Sequence, residues 1–80
     1  MKVKLSGVRC VRIAGDFIRL DALLKFATIV PTGGEAKLLI QSGKVFVDGT
    51  PCTLRGKKIR PGSVVRYRGE TLAIKANEEA

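Results

Sequence analysis

The sequence contains no histidine and no tryptophan, and it has only two cysteines. Without histidine, a general base would have to be a carboxylate or a lysine. Five carboxylates have a structural explanation or stand alone, namely Asp16, Asp21, Glu35, Asp48 and Glu70. Cys10 and Cys52 are far apart and have no histidine to complete a zinc site. No phosphate-binding loop or nucleophile elbow is present. The sequence therefore predicts no enzymatic activity, no catalytic residue, no metal site and no cofactor.

Long apolar runs are also missing from the chain. No run approaches the roughly 18 residues that a membrane-spanning helix requires, and residues 1–7 lack the apolar stretch of a signal peptide. We therefore expect a cytoplasmic protein with no membrane partner. In a reducing cytosol, Cys10 and Cys52 are expected to be small, buried or half-buried apolar side chains rather than a disulfide.

Acidic residues are scarce relative to basic ones. Seven Asp and Glu stand against 15 Lys and Arg, which gives a net charge of +8 and an isoelectric point of about 10.1. A positive field of this size attracts phosphate backbones. The alternative interpretation is ordinary solubility, since small domains carry net charges of about 2–8. Because the cations are clustered in the sequence, we favour nucleic acid as the partner.

Three stretches of different periodicity follow one another along the chain. Residues 1–18 alternate apolar and polar side chains, as strands do. Residues 20–43 have helical spacing. Residues 44–75 return to alternation, which is interrupted by turn signals at Asp48-Gly49, Pro61-Gly62 and Gly69-Glu70. Pro51 restricts its strand to a sheet edge or to a late start.

This order of elements predicts an α+β fold in which two short helices pack on a small, mostly antiparallel sheet. A single domain is expected over residues 1–75, followed by a polar tail at residues 76–80. Nothing in the pattern compels an oligomer, so we expect a monomer.

The first helix is expected to be capped by Asp21, whose carboxylate can accept hydrogen bonds from backbone N–H groups of the first turn. Its buried face follows the i, i+3, i+4, i+7 spacing of Leu20, Leu23, Leu24 and Ala27. Pro31 disfavours helical geometry at Val30, so the helix should end within residues 28–30.

The second helix is expected to begin after Thr32. Thr32 and Glu35 have the spacing of a capping box, in which the threonine hydroxyl accepts from the N–H of Glu35 and the carboxylate accepts from the N–H of Thr32. Gly43 provides the left-handed exit that other side chains resist. The residues expected to face the core are Ala36, Leu39 and Ile40.

Gly33 and Gly34 open this second helix. They leave backbone N–H groups bare at the positive end of the helix dipole, where an anion is favoured. They also lower helix propensity by about 1 kcal/mol per residue relative to alanine. Two interpretations are open: the backbone approaches a ligand closely, or a tight turn between the helices needs glycine.

The basic and polar residues form three clusters. Lys37, Gln41 and Lys44 are spaced i, i+4, i+7 and would form one stripe beside the apolar face of the second helix. The second cluster comprises Arg55, Lys57, Lys58 and Arg60, and the third comprises Arg66 and Arg68 on one face of a later strand. If the helix packs on the sheet, the stripe and the second cluster would border one surface.

Aromatic residues are few, with three phenylalanines and one tyrosine. We expect Phe17 and Phe26 to lie in the core, whereas Phe46 and Tyr67 are open to either assignment. A platform on which single-stranded bases stack is therefore not favoured.

Residues from Ile18 to Val65 form an ordered pattern, carried by Ile18, Leu20, Leu24-Lys25, the run Thr32–Lys37, Ile40, Gly43, Val45, Val47-Asp48-Gly49, Arg55-Gly56-Lys57-Lys58 and Pro61-Gly62. The pattern resembles the αL RNA-binding domain named after small-subunit ribosomal protein S-four. It is most similar to short free-standing bacterial members, one of which is typically encoded beside a recombination gene. Many family members have arginine directly after the capping residue. This chain has Gly33 at that position, and the free-standing subgroup is similar to it in lacking the arginine.

The resemblance implies a basic face, formed by the two helices and the following strands, that binds structured RNA. By motif position it implies contacts at Lys25, Thr32, Gly33, Gly34, Lys37, Gln41, Lys44, Arg55, Lys57, Lys58 and Arg60. Our leading hypothesis is a non-enzymatic module that docks this face on ribosomal or tRNA-like RNA through phosphate and shape contacts, with the ribosome as a candidate partner. The alternatives are a DNA-associated accessory protein and a protein-interaction module that docks on an acidic partner.

Overall fold

The computed structural model describes residues 7–77, so the predicted alternation around Val3 and Leu5 lies outside the described residues. In chain order, the elements of this range are β1 (Gly7–Ile13), β2 (Ile18–Arg19), α1 (Leu20–Phe26), α2 (Gly33–Gln41), β3 (Phe46–Val47), β4 (Thr50–Pro51), β5 (Lys58–Ile59), β6 (Val64–Tyr67) and β7 (Glu70–Ala76). None of the helices in this range is long and apolar enough to cross a membrane.

The main sheet has five strands in the order β1-β7-β6-β3-β4. Its long strands β1 and β7 run parallel, with Val11 opposite Ile74, and the other neighbouring pairs are antiparallel. A second, two-stranded sheet pairs β2 with β5 and places Ile18 opposite Ile59. The predicted α+β class with a mostly antiparallel sheet is confirmed.

Both helices cover one face of the main sheet. The core combines helix residues such as Leu20, Leu23, Leu24, Ala36 and Ile40 with the sheet residues Val11, Ile13, Val47, Val65, Leu72 and Ile74. The alternate residues of the strands, including Arg66 and Lys75, therefore point to the outer face of the sheet. The buried faces predicted for the two helices are confirmed.

The predicted cap of α1 is partly correct, because the Asp21 carboxylate accepts a hydrogen bond from the N–H of Ala22 in the first turn at 2.8 Å, but Asp21 is not the N-cap residue. The helix begins at Leu20, its N-cap residue Arg19 makes no side-chain capping bond, and Asp21 lies inside the first turn. The N–H groups of Leu20 and Asp21 instead donate to the carbonyl oxygens of Lys57 (2.8 Å) and Arg55 (3.1 Å). A distant segment thus satisfies the first donors of the helix, and no local pattern could have revealed it.

Helix α1 also ends earlier than predicted, with Ala27 as its C-cap residue. Thr28 has a positive φ of 60°, and its N–H donates to the carbonyl of Lys25 while the N–H of Ile29 donates to that of Leu24. This pair of bonds is a Schellman motif in which threonine occupies the left-handed position usually taken by glycine. The helix therefore stops before Pro31 can act on it.

Helix α2 follows its sequence signals more closely. The Thr32 hydroxyl accepts a hydrogen bond from the N–H of Glu35 at 3.1 Å, which is one half of the predicted capping box. The return bond from the Thr32 N–H to the Glu35 carboxylate does not occur in the part of the chain that the structure describes. Gly43 has a φ of 82° directly after the helix, as predicted.

Two tight turns connect the antiparallel strands. Asp48 and Gly49 both have positive φ between the paired residues Val47 and Thr50, which is the geometry of a type I′ hairpin. This turn and the edge position of β4, which holds Pro51, were predicted correctly. The later turn was placed one residue too far along, because Arg68 and Gly69 form it. Arg68 therefore does not share a strand face with Arg66.

The predicted environment of the cysteines is half correct. Cys52 is half-buried and packs against the core, whereas Cys10 is exposed on β1. Cys10 belongs to the outer face of the sheet, because its neighbours Val11 and Arg9 alternate with it along the strand. Both cysteines are free thiols.

Candidate nucleic-acid interface

The basic segment at residues 55–60 is fixed at both ends to the helical layer. Its backbone carbonyls receive the first N–H groups of α1, and β5 pairs with β2 so that Lys58 lies opposite Arg19. Slightly upstream, the N–H of Cys52 donates to the carbonyl of Val45 at 2.9 Å. The chain from Cys52 to Lys57 therefore runs from the strand that follows α2 to the N-terminus of α1.

Asp21 anchors this segment through its side chain. Its Oδ2 accepts from Arg55 Nε at 2.9 Å and from Arg19 at 3.1 Å, and its Oδ1 accepts from the N–H of Ala22 at 2.8 Å. The carboxylate is the one buried charged group among the described residues. Arg55 therefore has a structural role here, and its role as an RNA contact stays a prediction.

The pKa of Asp21 reflects this environment. Burial raises the pKa of the carboxyl, but the hydrogen bonds from Arg55 and Ala22 and the charges of Arg19 and Arg55 outweigh it, so the pKa lies below its ordinary value. Asp21 is consequently ionised at neutral pH and holds the two guanidinium groups together.

The remaining cations of the segment, Lys57, Lys58 and Arg60, are exposed. Lys58 Nζ lies 4.9 Å from the centroid of the Phe17 ring, and Arg60 Cζ lies 5.9 Å from it. The prediction that Phe17 belongs to the core is wrong, because its side chain supports two cations at the surface. Cation–π contacts of this kind hold long side chains in place.

The start of α2 has space around its two glycines, of which Gly34 is exposed and Gly33 is half-buried. A Cβ atom built on Gly33 would meet nothing within 4 Å, and one built on Gly34 would meet only the Thr32 hydroxyl oxygen at 3.9 Å. Neither glycine is among the residues with positive φ. Neither packing nor backbone geometry therefore requires glycine here, and the close approach of a ligand stays a prediction.

The three residues of the stripe predicted along α2 do not all lie on the helix, because α2 ends at Gln41. Lys37 and Gln41 are exposed on the helix, one turn apart. Lys44 is exposed beyond its end and borders a shallow groove together with Tyr67 and Arg68. Lys44 therefore lies beside Arg68 of the β6–β7 turn and not in one stripe with Lys37 and Gln41.

The other predicted contacts are distributed over the helices. Lys25 is exposed in the last turn of α1, and Thr32 is exposed at the start of α2. No hydrogen bond or ion pair within residues 7–77 joins Lys37 to the basic segment. The single surface formed by these groups therefore stays a prediction.

The sequence interpretation missed Arg19 and misplaced Phe26. Arg19 shares the Asp21 carboxylate with Arg55, a partnership that depends on the tertiary fold. Phe26 is 61% exposed at the end of α1, although we expected it in the core. A signal was available, because the i, i+3, i+4, i+7 series that begins at Leu20 does not include position 26.

Within the described residues, no group of three or more His, Cys, Asp or Glu side chains could hold a metal ion. The absence of a metal site stays a prediction. The chemistry available to these surfaces is the binding of anions by exposed Lys and Arg side chains and by backbone N–H groups.

Known proteins match the chain along most of its length. A family model described as the S4 domain matches residues 11–75, which spans both helices and all the strands except the start of β1 and the last residue of β7. Small ribosomal subunit protein uS4 of Hyphomonas neptunium is 40% identical over 50 residues, covering 62% of this chain and 24% of that protein. The uS4 protein of Novosphingobium aromaticivorans is 34% identical over 62 residues, covering 78% of this chain and 28% of that protein.

A relative of similar length is also found. The probable ribosome maturation protein RlbA of Bacillus subtilis is 34% identical over 59 residues, covering 74% of this chain and 83% of that protein. The chain thus spans about a quarter of the uS4 relatives but most of RlbA. Since the family model matches well over half of its residues, the chain belongs to the S4 domain family.

Proposed function

We propose that this protein is a non-enzymatic RNA-binding module that docks a basic face on structured RNA of ribosomal or tRNA-like type. Membership of the S4 domain family supports this role. So do the names of the relatives, which are a ribosomal protein and a probable ribosome maturation protein. A binding role also agrees with a chain that has no histidine and a net charge of +8.

The observation that carries the proposal is the open start of α2. A Cβ atom at Gly33 or Gly34 would meet almost nothing, and the first N–H groups of a helix have no partner within the helix. The helix dipole places partial positive charge at this end, and Lys37 follows one turn later on the helix surface. We infer that an RNA phosphate approaches the backbone here and is neutralised by Lys37.

The basic segment at residues 55–60 would supply further phosphate contacts. Its backbone is held by the first donors of α1 and by the Asp21–Arg55 ion pair, so Lys57 extends from a fixed support. A rigid set of cations suits A-form RNA, which proteins recognise mainly by shape and backbone contacts. The proposed face therefore combines the start of α2 with Lys57 and its neighbours.

Replacing Gly34 with alanine separates the stability of the domain from its affinity for RNA. The substitution has room for a Cβ, so we expect the free energy of unfolding to rise by about 0.4–1 kcal/mol. The same methyl group would stand between the backbone and a phosphate, so the affinity for an RNA stem-loop should fall. Urea unfolding and a binding titration on the same preparation measure the two effects.

The two readouts are expected to change in opposite directions, so partial unfolding could not explain weaker binding. An unchanged dissociation constant in the stabilised variant would contradict the approach of a phosphate to the start of α2. Gly33→Ala provides a second variant at the neighbouring position, where the added Cβ meets nothing within 4 Å.

A salt titration of the wild-type protein with an RNA stem-loop tests the proposed function directly. Each neutralised phosphate is expected to contribute about −0.7 to −0.9 to the slope of log K against log salt. Binding with a slope equivalent to several phosphates is the expected result. No detectable binding even at about 50 mM salt, where phosphate contacts are strong, would refute the proposal.

A further inference from the structure

Two phenylalanines lie at the surface around one shallow opening. Phe17 is 40% exposed in the loop before β2, and Phe26 is 61% exposed at the end of α1. Both line the same opening, whose floor includes Ile13 and Ile18 and whose edge includes Arg12. We call this site the aromatic opening.

Exposure of these two rings is unusual for a chain with so few aromatic residues. Phenylalanine contributes a large apolar area to a core, and single exposed apolar side chains need no explanation. Here, however, two rings meet at one place beside the half-buried Ile18. An apolar opening of this kind is typical of a binding site rather than of a scattered surface.

Three cations lie beside the aromatic opening. Arg12 lines it, and Lys58 and Arg60 lie over the ring of Phe17, which also lines it, at 4.9 and 5.9 Å from the ring centroid. The charged sequence neighbours of the two rings, Asp16 and Lys25, do not line it. A ligand that combines a flat apolar part with negative charge therefore fits this opening.

We propose that the aromatic opening receives an unpaired RNA base, which stacks on Phe26 with Phe17 as the second wall. The phosphates that flank this base would then meet Lys58, Arg60 and Arg12. The inference rests on the proposed function and narrows its substrate class to RNA in which an unpaired nucleotide adjoins a helix.

Charge favours a nucleotide over an apolar side chain of a protein partner. An aliphatic or aromatic residue would fill the opening but leave the surrounding cations without counter-charges, whereas a nucleotide brings one phosphate on each side of its base. Aromatic side chains bind unpaired bases by stacking without requiring a particular sequence. The opening therefore selects for an unpaired base and not for its identity.

The test compares two RNA stem-loops that differ only in a single bulged 2-aminopurine, whose fluorescence falls when it stacks. Wild-type protein is expected to bind the bulged RNA more tightly and to quench the probe. Phe26→Ala should weaken binding of the bulged RNA by about 5- to 150-fold, the range that alanine substitution gives for one stacked base. Its affinity for the fully paired RNA should stay unchanged.

Phe46→Ala serves as the matched control, because Phe46 is an exposed phenylalanine on β3, a strand distant in sequence from α1 and outside the aromatic opening. This variant should retain both the preference for the bulged RNA and the quenching. Phe26→Trp should restore both, since tryptophan offers a larger stacking surface at the same exposed position.

The outcomes separate this inference from the function on which it rests. Equal binding of the two RNAs by wild-type protein, without quenching, would overturn the base site while leaving the RNA-binding role intact. Failure to bind either RNA would overturn both. Loss of binding to the paired RNA in Phe26→Ala would also contradict the base site, since Phe26 would then contact the helix. Unchanged discrimination in Phe26→Ala would leave the opening to a protein partner and would refute the proposal.

Discussion

Replacing Lys37 and Lys57 together with alanine is expected to weaken binding of an RNA stem-loop by about 20-fold at physiological salt. Each lysine is assigned one phosphate, and the release of its counterions at about 0.15 M salt corresponds to about 4- to 6-fold in affinity per contact. The salt slope should fall by about 1.4–1.8. Both side chains are exposed, so the substitutions should not unfold the domain.

A matched control removes the same charge elsewhere. Arg66 and Lys75 are exposed on the outer face of the main sheet, which the helices do not cover. The Arg66→Ala, Lys75→Ala double variant lowers the net charge equally, so any general effect of charge appears in both double variants. An equal loss of affinity in the two would mean that the charge of the protein acts as a whole and that the proposed face is wrong.

Replacing Asp21 with alanine is expected to destabilise the domain more than any of the substitutions of exposed residues proposed above. The substitution removes a buried carboxylate that accepts hydrogen bonds from Arg19, Arg55 and the N–H of Ala22. Loss of one partner from a fully buried ion pair costs about 3–5 kcal/mol. Because both arginines remain partly exposed to water, we expect about 1–3 kcal/mol here. Urea unfolding of Asp21→Ala measures this loss, with Asp16→Ala as the exposed control.

The contribution of Asp21 should also depend on pH. Its pKa is lower in the folded protein than in the unfolded chain, so the unfolded state binds the proton more readily. The stabilisation is therefore complete above the ordinary carboxyl pKa of about 3.9 and is lost as the pH falls through the lower, folded pKa. The difference in stability between wild-type protein and Asp21→Ala should shrink below about pH 4. A difference that stays constant from pH 7 to that range would show that the ion pairs do not supply it.

Sequence patterns predicted the elements whose signals are local. The threonine hydroxyl at the start of α2 and Gly43 at its end act within one turn of the helix, and the structure contains both. The Asp48-Gly49 turn is equally local, because both of its residues adopt the positive φ that the hairpin needs. These features depend on neighbours in the chain and could be read before the fold was known.

Features that depend on distant segments could not be predicted. Asp21 has the sequence character of a helix cap and accepts from the N–H of Ala22. The N–H groups of Leu20 and Asp21, however, donate to the carbonyls of Lys57 and Arg55, and Arg55 is 34 positions from Asp21. Phe26 was assigned to the core by its residue type, although its position in the helix places it beside the buried stripe. Its exposure, and the nearness of Phe17, became visible only when the strands and helices were assembled.

In the candidate site, too, local features could be predicted from the sequence and features that depend on the tertiary fold could not. Exposure of Lys37, Gln41 and Lys57 follows from their polar side chains and their spacing, and the structure agrees. The separation of Lys44 towards Tyr67 and Arg68 was not predictable, because it depends on how the β6–β7 turn lies beside the end of α2. The space around Gly33 and Gly34, which shows that no steric contact requires glycine there, could likewise be seen only in the structure.

The most direct test of the central claim is a competition titration at about 0.15 M salt, where weak charge contacts are screened. A labelled RNA stem-loop is bound by the wild-type protein and displaced by unlabelled RNA or by duplex DNA of matched length and sequence. The account predicts that RNA competes much more effectively than DNA, and that the Lys37 and Lys57 double variant loses this preference. Equal, weak and steeply salt-dependent competition by the two nucleic acids would contradict it.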